Sequence, residues 1–485
     1  MKNDISKTII QEINKIGKLW NIPNIMCGIV IDNRVEEIVN WSNTNISTER
    51  LPENSIFRIG SNSKSFACSA LMQLVTQYNI SIHDRVVEYY PEFQLYHKEL
   101  TKNVCIKDIV THHVGLGKFT SSMMGFLNYQ STDIINSMRH IPVHKPFRTS
   151  FQYHNAMYLI IEKILSNVAN CTVEEFYANH FLDPLNMKYT STSLTDSGIK
   201  IAPPCVEICG QNKLITQSRF SDCLGIGTNL NTTVDDMLKW IIFNLEQFSQ
   251  NSSKFKNTQQ QFYRYVSFQS NSKTTLLDDY ITWHGYTLGW YSNQFDRFTL
   301  YEHLGGVPGY TSYLSFIPEL DAGIVLLCNK SNMRYPLELI RLIFFHALVN
   351  NRSFTDISYD LFEQTMNYQH LLDCKISSFE PTKLPRLYHS LNLRLFNPMY
   401  QIIKFMIRDS EILIYFESVN LTFKCFYTGN NTFVLIDHLH HFSTLLKLIT
   451  LQFDRAAKTL EMKIFIDNQQ GGLSWIADHL FTEIF

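Results

Sequence analysis

Residues 56–66 read IFRIGSNSKSF, and the tetrapeptide Ser61-Asn62-Ser63-Lys64 within them is where the fold declares itself. The run from there to about residue 78 has helical periodicity, with Phe66, Ala70, Leu71 and Leu74 on the inward stripe. Residues three apart on a helix share a face, so the hydroxyl of Ser61 and the amine of Lys64 can touch. At a helix start that hydroxyl also lies beside backbone N–H groups without an intrahelical acceptor, at the positive end of the dipole. A serine attacks a carbonyl only when a neighbour takes its proton. A lysine can do that only when burial lowers its pKa toward neutrality. A serine ahead of a helix is also an ordinary capping residue, so the motif needs company.

Two other stretches supply it. Tyr153-His154-Asn155 precedes an amphipathic run at 156–168, and its spacing puts the phenol and the amide on the same side of an extended or turn segment. Standing alone, Asn155 is equally an N-cap. His303-Leu304-Gly305-Gly306 ends a predicted strand, where small residues let a substrate come close to the backbone. The N–H of Gly306 is a possible second oxyanion donor, paired with that of Ser61.

The order of these blocks resembles the β-lactamase-related serine hydrolases: class C β-lactamases, penicillin-binding proteins, and their esterase and D-amino-acid-directed peptidase relatives. The likeness runs through IFRIGSNSKSF at 56–66, IVTHHVGL at 109–116, FQYHN at 151–155, FLDPLNMKYTS at 181–191, GIGTNLNTTVDDMLKW at 225–240, YTLGW at 286–290 and HLGGVPGYTSYLSFIPELDAGIVLLCN at 303–329. It covers about residues 20–350. It implies Ser61 as nucleophile, Lys64 as adjacent base and Tyr153 as proton shuttle to the leaving group. Asn155, His303, Gly305 and Gly306 would bind substrate. His303 stands where the β-lactamases carry the lysine of Lys-Thr-Gly, as it does in many esterase and peptidase relatives. A neutral residue there favours a peptidase or esterase over an efficient β-lactamase. His113 and Val114 replace the family's usual Thr-Ser before its Gly, in a block read as structural, and His154 is expected to point away from the chemistry.

The rest of the chain fits an α+β plan. A hairpin pattern at 25–31 and 35–41 turns at Asp32-Asn33, and strands are predicted at 286–291, 298–303, 310–316 and 323–328, with a helix at 337–349. One antiparallel sheet would then hold both ends of the domain, with a helical lobe inserted between them. The polar segment 247–273 reads as an exposed excursion. From about 390, short β-rich runs alternate with turns, as in a small barrel or sandwich. The expected organisation is a hydrolase domain at 1–351, a helical linker at 352–389 and a β domain at 390–485.

Composition narrows the function. With 45% hydrophobic and 18% charged residues and a net charge of −2, the chain is globular and shows no basic block for nucleic acid. The first twenty residues read as an amphipathic helix with Ile9, Ile10, Ile13, Ile16 and Leu19 on one stripe, and lack a signal-peptide core. No apolar run has the roughly 18–20 residues a membrane span needs. A cytoplasmic location is expected, with no membrane partner. The ten cysteines sit mostly in apolar segments, and Cys205/Cys209 has no second pair to complete a zinc site. No metal or cofactor is expected. The partner is a small-molecule or peptide substrate, and the sequence is compatible with a homo-oligomer. The rival reading is a non-catalytic, self-assembling scaffold that retains the fold; its weakness is that Ser61, Lys64, Tyr153 and Asn155 are all present.

Overall fold

The computed structural model describes residues 2–46, 50–117, 121–194, 199–208, 211–215, 219–248, 261–263, 265–268, 281–350, 392–408, 411–429, 432–436, 446–454, 459–467 and 473–483. The expected linker at 352–389 lies outside them, as do 249–260, 264 and 269–273 of the polar excursion.

The two-residue turn of Asp32 (φ 54°) and Asn33 (φ 56°) has the left-handed backbone that matches strand twist, and it closes the hairpin of Asn24–Ile31 with Arg34–Ser42. That hairpin pairs through Asn24–Ile31 with Ala322–Cys328, from the far end of the domain. Tyr310–Ile317, Phe298–Val307, Tyr291–Phe295, Ile281–Tyr286 and Val266–Phe268 extend the sheet, and each of these pairings is antiparallel. The run at 286–291 is therefore not a strand. It is the turn between two, closed by Thr287 N–H donating to the Trp290 carbonyl at 2.8 Å. Gly289 makes this turn possible: its φ is +81°, and a Cβ there would stand 2.5 Å from the Lys64 carbonyl oxygen. The polar excursion is also less exposed than its composition suggests. Gln261 is buried and donates to the Ser65 carbonyl at 3.1 Å, and Val266–Phe268 joins the sheet.

Helices cover both faces. On one side lie Lys2–Leu19 and Arg334–Asn350. The first presents Ile5, Ile9, Ile13 and Ile16 inward, whereas Ile10 and Leu19 are 40% and 42% exposed, because a helix advances 100° per residue and they fall off the stripe. On the other side Val234–Glu246 packs on the sheet so closely that a Cβ on Gly28 would sit 2.8 Å from Leu238. Ser63–Tyr78 packs against Tyr158–Ala169 in the helical lobe.

The β domain is a closed eight-stranded antiparallel barrel. Its strands include Asn392–Asn397 and Leu473–Glu483, neither expected from sequence, and these two close the barrel through Leu395–Glu483 and Phe396–Thr482. Closure removes the open edges that eight strands would otherwise present. Alternate residues fill the inside, as with Ile403, Phe405 and Ile407, then Ile412, Ile414 and Phe416. The barrel meets the helical lobe at Tyr129, whose hydroxyl donates to the Tyr400 carbonyl at 2.7 Å and lies 2.9 Å from Ser418 Oγ. No helix among the described residues is long and apolar enough to cross a membrane.

Candidate active site

Phe57–Arg58 is extended, but the chain then turns: Gly60 adopts φ +52° and opens the 3-10 turn Gly60–Asn62, after which the α-helix Ser63–Tyr78 begins. Ser61 thus sits on that turn, one step ahead of the α-helix. Glycine is required at 60 twice over. Its φ disfavours a side chain, and a Cβ would lie 2.9 Å from the Gly306 nitrogen. The turn is stitched to the sheet by Asn62 Nδ2 donating to Ser312 Oγ at 2.7 Å, and by Ser312 Oγ donating to the Ile59 carbonyl at 2.8 Å. A side chain at Gly305 would run into that same carbonyl, so Gly305 permits the close approach. One at Gly306 would meet nothing within 4 Å.

Lys64 is fully buried, and its Nζ lies 3.0 Å from Ser61 Oγ, 2.8 Å from Asn155 Oδ1 and 2.9 Å from the Gly227 carbonyl. None of the three is a carboxylate. Burial drives the amine well below its usual 10.5, and the nearby Cys68 thiol, itself pushed up to about 12 by burial, stays protonated and offers no counter-charge. The Lys64 amine donates to Ser61 Oγ, Asn155 Oδ1 and the Gly227 carbonyl. The Tyr153 ring centroid lies 4.9 Å from Lys64 Nζ, and its hydroxyl interacts with that of Ser61. Burial raises the phenol well above 10, so it keeps its proton.

His303 is buried beside this group, 6.3 Å from Tyr153 between ring centroids. Its Nδ1 donates to the Leu304 carbonyl at 2.8 Å and its Nε2 accepts from the Tyr286 hydroxyl at 3.3 Å. Burial and the neighbouring Lys64 lower its pKa to about 3. The pairing of Tyr291–Phe295 with the His303 strand stops at Glu302, so residues 303–307 have no strand partner on that edge among the described residues.

All seven residues singled out from sequence therefore meet around Ser61 or on the adjoining strand. Four contributors were missed. Gly227 belongs to a 3-10 turn whose carbonyl has no side-chain signature. The turn at 287–290 hid inside an apolar run. Ser312 is one polar residue in a buried strand. His112 lies in the block read as structural, yet its ring lies tilted against that of Tyr153 with centroids 4.4 Å apart. His154 is buried, with neither ring nitrogen hydrogen-bonded among the described residues.

A two-lobed α+β fold with Ser, Lys and Tyr converging at the lobe junction, followed by a small β domain, is that of the β-lactamase and penicillin-binding-protein class. The chain belongs to the Beta-lactamase family, which it matches over residues 15–348. Membership supports activity of the serine-hydrolase type in general. Protein flp of Staphylococcus aureus (strain MW2) is 22% identical over 282 residues, 58% of this chain and 54% of that protein. Unguisins hydrolase ungD of Aspergillus violaceofuscus is 24% identical over 348 residues, 66% of this chain and 60% of that protein. The chain thus spans little more than half the length of these relatives. An octameric penicillin-binding protein homologue from Pyrococcus abyssi superposes with a TM-score of 0.60 at 17% identity, covering 99% of both chains. At that identity the likeness is one of fold.

Proposed function

We propose that the chain is a serine hydrolase that cleaves amide or ester bonds through an acyl-enzyme on Ser61. The observation that carries this is the buried Lys64 amine, held by two carbonyl oxygens and the Ser61 hydroxyl and, among the described residues, by no carboxylate. Ser61 Oγ bonds to the substrate carbonyl carbon as its proton passes to Lys64 Nζ. The carbonyl π electrons move to oxygen, and the N–H groups of Ser61 and Gly306 hold the resulting oxyanion. One such donor is worth about 2.7–4 kcal/mol of transition-state stabilisation. The tetrahedral centre collapses, the bond to the leaving group breaks, and Tyr153 relays the proton to that group. Water then attacks the ester and regenerates Ser61 by the same relay. Asn155 orients Lys64 and the substrate.

The open edge at 303–307 suits an extended acyl group laid along the strand. His303 uses both ring nitrogens inside the protein, so it offers no positive charge to a substrate carboxylate. Both features favour peptidase or esterase action over efficient β-lactam hydrolysis. The octameric assembly named for the Pyrococcus abyssi homologue supports a homo-oligomer here, testable by light scattering.

The reading is tested by intact-mass spectrometry after incubation with a fluorophosphonate probe and, separately, a fluorescent penicillin. One adduct on the wild-type protein and none on a folded Ser61→Ala variant is the expected result, with the fluorophosphonate reacting faster. No adduct from either probe on folded protein would transfer the assignment to a binding scaffold.

A further inference from the structure

His112 holds the residues around Tyr153 in three ways at once. Its carbonyl accepts the Gln152 N–H at 2.8 Å, and its Nδ1 accepts the His154 N–H at 3.2 Å. The residues either side of Tyr153 are thereby tied to a single neighbour. Between those two bonds, the imidazole lies against the Tyr153 ring at 4.4 Å and an interplanar angle of 34°. The same ring is walled by Phe151 at 5.4 Å, Tyr286 at 5.2 Å and Tyr158 at 5.7 Å. Tyr158 is itself fixed by its hydroxyl donating to the Val110 carbonyl at 3.1 Å.

The backbone shows that this contact is imposed by its surroundings. His112 has φ +60°, a conformation that costs a side-chain-bearing residue and persists only where the structure around it demands it. The turn that carries it is anchored from below. His113 N–H donates to the Asp108 carbonyl at 2.8 Å, and Asp108 is held by Arg148 through two bonds of 2.8 Å. With Nδ1 accepting, the ring proton sits on Nε2, and burial keeps the imidazole neutral, so the grip does not loosen by protonation near neutral pH.

We infer that His112 is a positioning residue for the hydrolytic reaction: it fixes the main chain and ring of Tyr153 so that the phenol stays against Ser61 and Lys64. The inference rests on the reading of Tyr153 as the proton relay. A relay whose hydroxyl drifts loses proton transfer without losing substrate binding. His112 therefore acts on the rate of acylation and only through Tyr153.

The test uses His112→Asn and His112→Gly, both compatible with a left-handed backbone, each alone and combined with Tyr153→Phe. Cooperative thermal unfolding establishes that each variant is folded. Fluorophosphonate labelling of Ser61 gives the maximal rate and the half-saturating probe concentration separately. The expected result is a maximal rate lowered about tenfold or more, within the roughly 10²–10⁴-fold that positioned proton transfer supplies, with half-saturation within about twofold. His112→Gly should lose more than His112→Asn, which can keep an acceptor for the His154 N–H. In the Tyr153→Phe background either change should cost less than about twofold, the non-additivity of groups acting as a unit. Wild-type rates in His112→Gly, or an equal loss with and without Tyr153, would overturn the proposal. A second readout is independent of activity: the ring ¹³C resonance of Tyr153, with ¹³C-tyrosine incorporated, should move in His112→Gly. If the wild type fails to label, the hydrolase reading falls, and an unmoved Tyr153 resonance would separately overturn the positioning role.

Discussion

Glu302 and His303 are consecutive residues of one strand, and alternation sends them to opposite faces, each beside a buried cationic side chain. On the outer face Arg341 is fully buried between Glu302 and Glu338, with Tyr313 stacked 4.2 Å from its guanidinium carbon. Asn293 donates to Glu302 at 2.6 Å, completing the network. On the inner face Lys64 is equally buried, and among the described residues its hydrogen-bond partners are all neutral. The first arrangement offsets a cation with carboxylates, while the second leaves burial to lower the pKa of the amine. A buried amine without a carboxylate gives up its proton, and an amine without a proton can take one from a serine. On the proposed reading, what separates Arg341 as a structural cation from Lys64 as a base is the charge of the partners together with the far greater basicity of a guanidinium, since burial lowers the pKa of both.

The contrast is sharpest in a pair of substitutions. Lys64→Met should lower the rate of Ser61 labelling by roughly 10²–10⁴-fold. Its stability should shift by no more than about 2 kcal/mol, because the lost hydrogen bonds to Asn155 and Gly227 oppose the relief of no longer burying an amine. Urea unfolding measures the second quantity, and a much larger loss would mean that Lys64 is a structural cation after all. Arg341→Met should do the reverse. It removes the cation shared by Glu302 and Glu338, leaving them only Asn293 and Arg334 respectively, and costs about 3–5 kcal/mol, while the folded fraction labels at close to the wild-type rate.

A smaller effect comes from the neutral imidazoles. Unfolded, His154 and His303 take a proton as pH falls below 6.5; folded, they resist until about 4 and about 3. Over that window the unfolded chain binds more protons, so stability falls as pH drops from 6.5 toward 4. Urea midpoints across this range check it, and a flat profile would show that these rings are hydrated. The smallest change is Tyr286→Phe, which removes the donor to His303 Nε2 and should cost about 1 kcal/mol in thermal unfolding.

Much of the site was legible because its signals are local. Ser61 and Lys64 are three residues apart, so helix geometry alone brings them into reach. The Asp32-Asn33 hairpin was equally readable from its turn residues. Reading failed where one pattern serves two structures. The apolar run at 286–291 suits a strand, and only contact with Lys64 explains Gly289 as a turn. The N-terminal stripe was drawn too wide, since Ile10 and Leu19 are apolar yet turned outward. The His112 block was read as packing alone because nothing in its spacing points to Tyr153, about forty residues on.

By itself, then, the sequence determined the pairing of Ser61 with Lys64, the α+β plan and the presence of a β domain, all matters of periodicity and short-range geometry. Tertiary structure decided the chemistry of Lys64. Asn155 and Gly227 reach it from 91 and 163 residues away, and the burial that lowers its pKa belongs to the packed lobes and to no segment. It also decided that the β domain is closed, since the first and last barrel strands pair across nearly ninety residues. Hydrogen bonds and desolvation act through distances in space, and the chain only acquires those on folding.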